Sequence, residues 1–265
     1  MSGAFTGKVV WITGGGSGIG KAMALEFARQ GADLALSGRR VERLEEVCAE
    51  VEALGRQAIA VQCDVARELD VEVAVKKVIE HFGRMDVAVA NAGFGVSGKF
   101  EELSAADWKR QFDVNVIGLV STARHALPHL KKTQGRLGLV GSVMGVLSVP
   151  GNGPYCASKA AVRSIGQVLS MELHGTGVSC TVIQPGFVES DIGRVDNKGN
   201  FRQDWSDKRP KQFMWSAKDA ARVIARAMHK RRREFTFTQH GRLGALLGQH
   251  TPSFVHLALT RFGKG

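Results

Sequence analysis

The sequence predicts an α/β protein: one doubly wound parallel sheet, helices on both faces, and a short helical C-terminal extension. Three observations predict it. Short apolar runs alternate with helical patterns along the chain. The first run, residues 9–12, passes straight into Gly14, Gly15, Gly16, Gly18 and Gly20 and then into a helical pattern. Small and polar residues follow the runs, where the carboxyl ends of parallel strands collect a ligand. At 265 residues, 44% apolar and 23% charged, the chain can bury one full core. An open sheet of this size is a single domain, here residues 1–265.

Val9-Val10-Trp11-Ile12 is too short for a helix and suits a strand buried on both faces. The glycine turn lets a ligand approach the backbone, and the helix over 18–30 offers free N–H groups to a phosphate. Its pattern is G-x-x-x-G-x-G, not the common G-x-G-x-x-G. A structural turn alone would look the same. Its place directly after the first strand favours a dinucleotide held at Gly14, Gly16, Ser17, Gly18, Ile19 and Gly20. Residues 33–37 form the second strand, followed by Gly38, Arg39 and Arg40. An NAD site would carry Asp or Glu there, whereas two guanidinium groups suit the 2′-phosphate of NADP. The alternative is an Arg pair on an exposed helix start.

A charged helix over 41–54 ends at Gly55, and a strand over 58–62 leads to Asp64 and Val65, where a carboxylate can accept from an adenine amino group. A helix over 68–82 closes at Gly83. The strand over 86–90 leads to Asn91, Ala92 and Gly93. One long helix is expected over 107–131, then a strand over 136–141 ending at Ser142. A helix over 154–174 and a strand over 179–183 precede Pro185 and Gly186. After a long polar loop come a helix over 217–230 and a last strand over 234–238.

No signal-peptide pattern opens the chain, and no apolar run approaches the ~18 residues of a membrane span. Cys48, Cys63, Cys156 and Cys180 are scattered without metal-ligand spacing, so no metal is expected and a reduced, cytoplasmic chain is the simple reading. Cys156 is expected to be a small buried side chain rather than a reactive thiol. The net charge of +11 is uneven: residues 191–265 hold 16 Lys and Arg against 6 Asp and Glu. A solvated face, an anionic ligand and an anionic membrane surface all fit it. Nucleic acid fits least, because no binding motif or stacking platform accompanies the charge.

Tyr155 is the only tyrosine, and Lys159 follows it by four, so both project from one helix face. Alone, such a pair is an ordinary surface contact. Here it follows the glycine turn, Asn115 within the long helix and Ser142 at a strand end. With Thr13-Gly14-x-x-x-Gly18-Ile19-Gly20, Asp64-Val65, Asn91-Ala92-Gly93 and Pro185-Gly186, the chain resembles the short-chain dehydrogenase/reductase family, closely over residues 5–190.

The resemblance implies a Rossmann fold and a nicotinamide cofactor, with NADP(H) favoured over NAD(H) by the Arg pair. It makes Tyr155 the general acid or base and Lys159 the cation that lowers its pKa and holds the nicotinamide ribose. Ser142 orients the substrate oxygen, and Asn115 holds a water that relays protons to Lys159. Val188 and Ser190 hold the carboxamide. Where the family often has Asn-Asn-Ala-Gly, this chain has Ala90-Asn91-Ala92-Gly93, which is expected to loosen a sheet hydrogen bond. A homodimer or homotetramer through the helices at 107–131 and 154–174 is implied as well.

Phe94, Val96 and Phe100 after the fourth strand, and Val143, Met144, Val146, Leu147 and Val149 after the fifth, read as an apolar pocket for a lipid-, steroid- or aromatic-like ketone or alcohol. Phe94, Ser142, Met144 and Tyr155 are its expected contacts. The plainer reading is that several pack the core. Residues 191–215, charged and carrying Phe201, Trp205, Phe213 and Trp215, read as a mobile substrate lid, and 241–265 as two short helices divided at Pro252. That extension suits packing over the pocket or a neighbouring subunit, contact with a membrane surface, or an ordinary surface. An NAD(H)-dependent alcohol dehydrogenase of the same family, a weakly catalytic dinucleotide-binding protein and a membrane-associated scaffold are the alternatives.

Overall fold

The computed structural model describes residues 3–207 and 209–262, with no side chain for Phe262. Lys208, read from the sequence as part of the lid, lies outside the described residues, as do the two ends of the expected domain.

Among the described residues, seven strands form one sheet: β1 (Val9–Thr13), β2 (Asp33–Gly38), β3 (Ala58–Gln62), β4 (Val87–Ala90), β5 (Arg136–Val140), β6 (Ser179–Gln184) and β7 (Glu234–Thr236). Their order is β3-β2-β1-β4-β5-β6-β7, all parallel. Side chains of β1 alternate between two cores, as a period of two requires. Val10 and Ile12 enter the core beneath α1 (Gly18–Arg29), α2 (Val41–Glu52) and α7 (Ala217–His229). Val9 and Trp11 enter the one beneath α3 (Glu68–Phe82) and α5 (Gly118–Thr133). The Trp11 indole, fully buried, donates to Ser37 Oγ at 2.8 Å, so its polar atom goes below the surface already paired. The order in which strands are added reverses between β1 and β4, which opens a crevice at their carboxyl ends.

The remaining helices are α4 (Ala105–Phe112), α6 (Gly153–Glu172), α8 (Gln239–His250) and α9 (Pro252–Phe262). Local chemistry sets their ends. Ser104 and Ser216 cap α4 and α7 through the backbone N–H three residues on, and Gly83 ends α3 with φ +70°. Pro252 opens α9, as its position in the sequence suggested.

Two expectations need correction. The helix expected over 107–131 is broken: Asp113–Ile117 form a π turn between α4 and α5. Asn115 there turns inward, taking the Phe94 N–H at 3.1 Å and donating to Phe94 O at 3.0 Å and Ser158 Oγ at 3.2 Å. The last strand stops at Thr236, because Thr238 takes φ +71° and caps α8 instead.

Candidate active site

A cleft of about 880 Å³ runs along the carboxyl ends of the strands. Its floor is the glycine turn. Gly14 has φ +68°, and a Cβ there would lie 2.9 Å from Ala92 Cα. A Cβ on Gly20 would lie 2.1 Å from Gly14 O, so α1 begins pressed beneath the turn. Ser17 makes no side-chain cap, which leaves the first N–H groups of α1 to a ligand. A dinucleotide diphosphate fits this cradle. Thr13 Oγ1 accepts from the N–H groups of Asn91 and Ala92, and the Asn91 amide donates to Thr13 O and Gly14 O. These bonds hold the Asn91–Gly93 turn against the cradle without help from Ala90, which is simply buried.

Beyond β2, Arg39 and Arg40 stand on the rim. They are not a loose surface pair. Arg39 donates to Gly199 O at 2.7 Å, and Arg40 lies 4.0 Å from Asp191 and over the Phe201 ring. The segment that meets them is a hairpin wound around buried Asp196, which accepts from the N–H groups of Lys198 and Asn200 and from Arg202. Its far side is tied as well: Asn197 exchanges two hydrogen bonds with the backbone of Ser97, and Arg110 donates to Asn197 O. The expected lid is therefore a roof anchored on both banks of the cleft.

At the other end, Tyr155 and Lys159 project from α6 into the cleft. Lys159 Nζ donates to Val140 O at 2.8 Å and lies 5.7 Å from the Tyr155 ring centre. Burial pushes its pKa down to about 8. Burial also pushes the Tyr155 phenol up, while the Ser142 hydroxyl and the Arg209 charge pull the other way. The sequence led us to expect Lys159 to depress the tyrosine. Desolvation wins, and the phenol keeps its proton. Ser142 Oγ accepts from Met144 N–H at 3.1 Å, which leaves its own proton to donate. Cys156 is buried and its thiol pushed up by burial, which suits the inert reading.

The sequence model of the family described as short chain dehydrogenase matches residues 8–200, well over half of the chain. The chain belongs to this family. It is an oxidoreductase of a class that acts on CH–OH groups with NAD or NADP, built on a Rossmann fold. Hydroxynaphthalene reductase arp2 of Aspergillus fumigatus is 36% identical over 190 residues, 71% of this chain and 69% of that protein. A short chain dehydrogenase/reductase from Burkholderia phymatum, solved with NAD, superposes with a TM-score of 0.83 at 29% identity, covering 96% of each chain. A short chain dehydrogenase from Burkholderia cenocepacia, solved with NADP, gives 0.80 at 30% identity, covering 90% of this chain and 99% of that one.

The dehydrogenase gathers nearly all of the expected residues in its cleft. Gly14, Gly16 to Gly20, Gly38, Arg39, Arg40, Asp64, Val65, Asn91 to Phe94, Ser142, Tyr155, Lys159, Pro185, Gly186, Val188 and Ser190 line it. Asn115 and Met144 do not. Asn115 lies beneath, with both amide hydrogens spent on Phe94 and Ser158, so its side chain has no donor left for a relay water. Met144 contributes its N–H to Ser142 rather than a wall to the pocket. Val96 and Val143 are core residues, so the plainer reading of that stretch holds for these two, whereas Phe100 is 77% exposed and packs neither the core nor the cleft.

Sequence reasoning missed Arg43, Arg110 and Arg209 as cleft residues. Arg209 is paired with Asp207 at 2.7 Å and donates to Val188 O and Ser190 O, both at 3.1 Å. The two-residue spacing from Asp207 to Arg209 hinted at a pair; nothing in the sequence told where it would dock.

Proposed function

We propose that the dehydrogenase reduces the carbonyl of an apolar, ring-bearing ketone with NADPH. The observation that carries this reading is the convergence of Ser142, Tyr155 and Lys159 on the same cleft as the glycine turn and the Arg39–Arg40 rim. The nicotinamide supplies hydride when bound. Tyr155 donates its phenolic proton to the carbonyl oxygen as charge grows there, and a phenol held protonated by burial suits reduction. Ser142 donates a hydrogen bond to the same oxygen and fixes its direction. Lys159 stabilises the phenolate left behind and holds the nicotinamide ribose. Val188 and Ser190 take the carboxamide, and Asp64 the adenine. Asn115 supports the site from below by fixing Phe94, alongside the relay water that the family resemblance assigns to it. Phe94, Ile192 and Val195 give the cleft apolar walls, and the relative from Aspergillus fumigatus is named for a bicyclic aromatic substrate.

The guanidinium groups of Arg39 and Arg40 favour NADP(H), with NAD(H) as the alternative that the Burkholderia phymatum structure keeps in view. We also propose a cytoplasmic setting, which suits four buried free cysteines. Titration of the purified protein with NADPH and NADH, followed by tryptophan fluorescence, tests the cofactor. NADPH is expected to bind at least tenfold more tightly, and Arg39→Asp to reverse that order; an unchanged ratio rejects the rim as the phosphate site. Tyr155→Phe is expected to lose turnover of bicyclic ketones by about a thousandfold or more while binding NADPH as before. Surviving turnover would remove Tyr155 as the acid.

A further inference from the structure

The segment after β6 is held from an unexpected direction. Phe187 N–H donates at 3.1 Å to Nε2 of His240, which lies 53 residues further along the chain at the start of α8. The Phe187 carbonyl accepts from Trp215 N–H at 3.0 Å, and Glu189 N–H donates to Trp215 O at 2.9 Å. Both neighbours of Val188 are therefore engaged. Among the described residues the Val188 N–H has no partner, and Val188 is one of the residues that line the cleft.

The imidazole is closely fitted. Its ring stacks on Phe187, 5.4 Å between centres and 24° between planes, and touches Phe213 of the roof at 5.5 Å. Thr238 Oγ1 lies 3.2 Å from the same Nε2 while accepting from Gly241 N–H. A Cβ on Gly186 would fall 2.6 Å from Nε2 and 2.4 Å from Thr238 Oγ1. Gly186 is thus required by the incoming C-terminal segment, where the sequence suggested only a cofactor contact. To let His240 in, Thr238 adopts φ +71°, a region that β-branched residues avoid.

The ring nitrogen has one possible protonation. A backbone N–H can only donate, so Nε2 must offer its lone pair and the proton must sit on Nδ1. Burial pushes the imidazole pKa down, which favours the neutral form.

We infer that His240 is a positioning residue for the nicotinamide end of the cofactor. Its neutral Nε2 holds Phe187 so that the unpartnered N–H of Val188 stays at the cleft, while Arg209 holds the Val188 carbonyl, and its ring carries the roof residue Phe213. The C-terminal extension thereby becomes part of the active site without touching the cofactor. The inference rests on the proposal that Val188 and Ser190 receive the carboxamide.

The test uses the full chain and two probes: whichever dinucleotide the wild type binds more tightly, and the matching ADP-ribose that lacks the nicotinamide. His240→Phe keeps the stacked ring and removes the acceptor. It is expected to weaken the dinucleotide about tenfold, the size of one lost buried hydrogen bond, and to leave the ADP-ribose unchanged. His240→Gln, whose Oε1 can accept from Phe187, is expected to restore binding to within about twofold. Equal binding of the dinucleotide by the Phe variant overturns the inference. So does equal loss of both probes, which marks general damage to the cleft.

Should the Phe variant not fold, long-range ¹H–¹⁵N spectra of the wild-type histidines decide. The Nδ1–H tautomer at His240 is expected at pH 7.5, and an Nε2–H form or an imidazolium overturns the inference. A wild type that binds neither dinucleotide sinks the proposed function instead, and the tautomer measurement still judges His240.

Discussion

Lys159 is a charged group 5% exposed, with burial alone acting on its pKa. Its fall from 10.5 to about 8 sets an upper bound of about 3 kcal/mol on what its charge costs the fold at pH 7. Between pH 8 and 10.5 the unfolded chain binds more protons at this residue than the folded chain does. Its contribution to stability therefore rises with pH across that window and is least favourable below it. Lys159→Met is expected to raise the melting temperature by several degrees at pH 7, a gain that shrinks toward pH 10.5, while turnover disappears. Scanning calorimetry of both proteins at the two pH values checks it. A variant less stable than the wild type at pH 7 would mean that the Val140 carbonyl compensates the buried charge more fully than burial alone implies. Tyr155, Lys159 and Ser142 were legible in the sequence because local rules place them: four residues along one helix face, and the turn directly after a strand. His240 and Arg209 were not, since each is defined by a backbone atom far away in the chain.

At the scale of elements, the central strands β1 and β4 could be read from short apolar runs, because a strand buried on both faces leaves an unbroken apolar signature, while the half-buried edge strands β3 and β7 were read from their place in the alternation. The π turn at Asp113–Ile117 left no such mark. Asn115 within it meets the Phe94 N–H and shares the Phe94 carbonyl with Gln111, partners that lie on another stretch of the chain. Asn115→Ala is expected to strand the buried Phe94 N–H, while Gln111 Nε2, 2.9 Å away, still serves the Phe94 carbonyl, at a cost of about 2 kcal/mol. Urea unfolding would show the midpoint shift without a change of slope. An unshifted midpoint would mean that the π turn stands without the amide. The roof departs from expectation in the same manner: its composition suggested a mobile polar lid, but the bonds of Asp196 and Asn197 give it a fixed shape and two anchors.

Over the whole molecule, the apolar surface is as uneven as the charge. Ile117, Val120, Val168 and Met171 stand exposed on the π turn, α5 and α6. We propose that this face joins copies of the chain as a dimer or tetramer. Ile117→Glu with Met171→Glu is expected to yield monomers by light scattering; an unchanged mass rejects the face. Leu243, Leu246, Phe254 and Leu257 are likewise exposed, on α8 and α9, beside Arg242 and Arg261. They keep contact with an anionic membrane surface as a proposal, although no described helix is long and apolar enough to cross a membrane.

The roof, finally, bears on the pace of turnover. It touches Arg39 and Arg40 on one bank and Ser97 and Arg110 on the other. If the proposed dinucleotide lies beneath it, those anchors have to be broken for the cofactor to leave, so the maximal rate is expected to fall with rising solvent viscosity. A rate unchanged in graded glycerol would remove the roof from the release step.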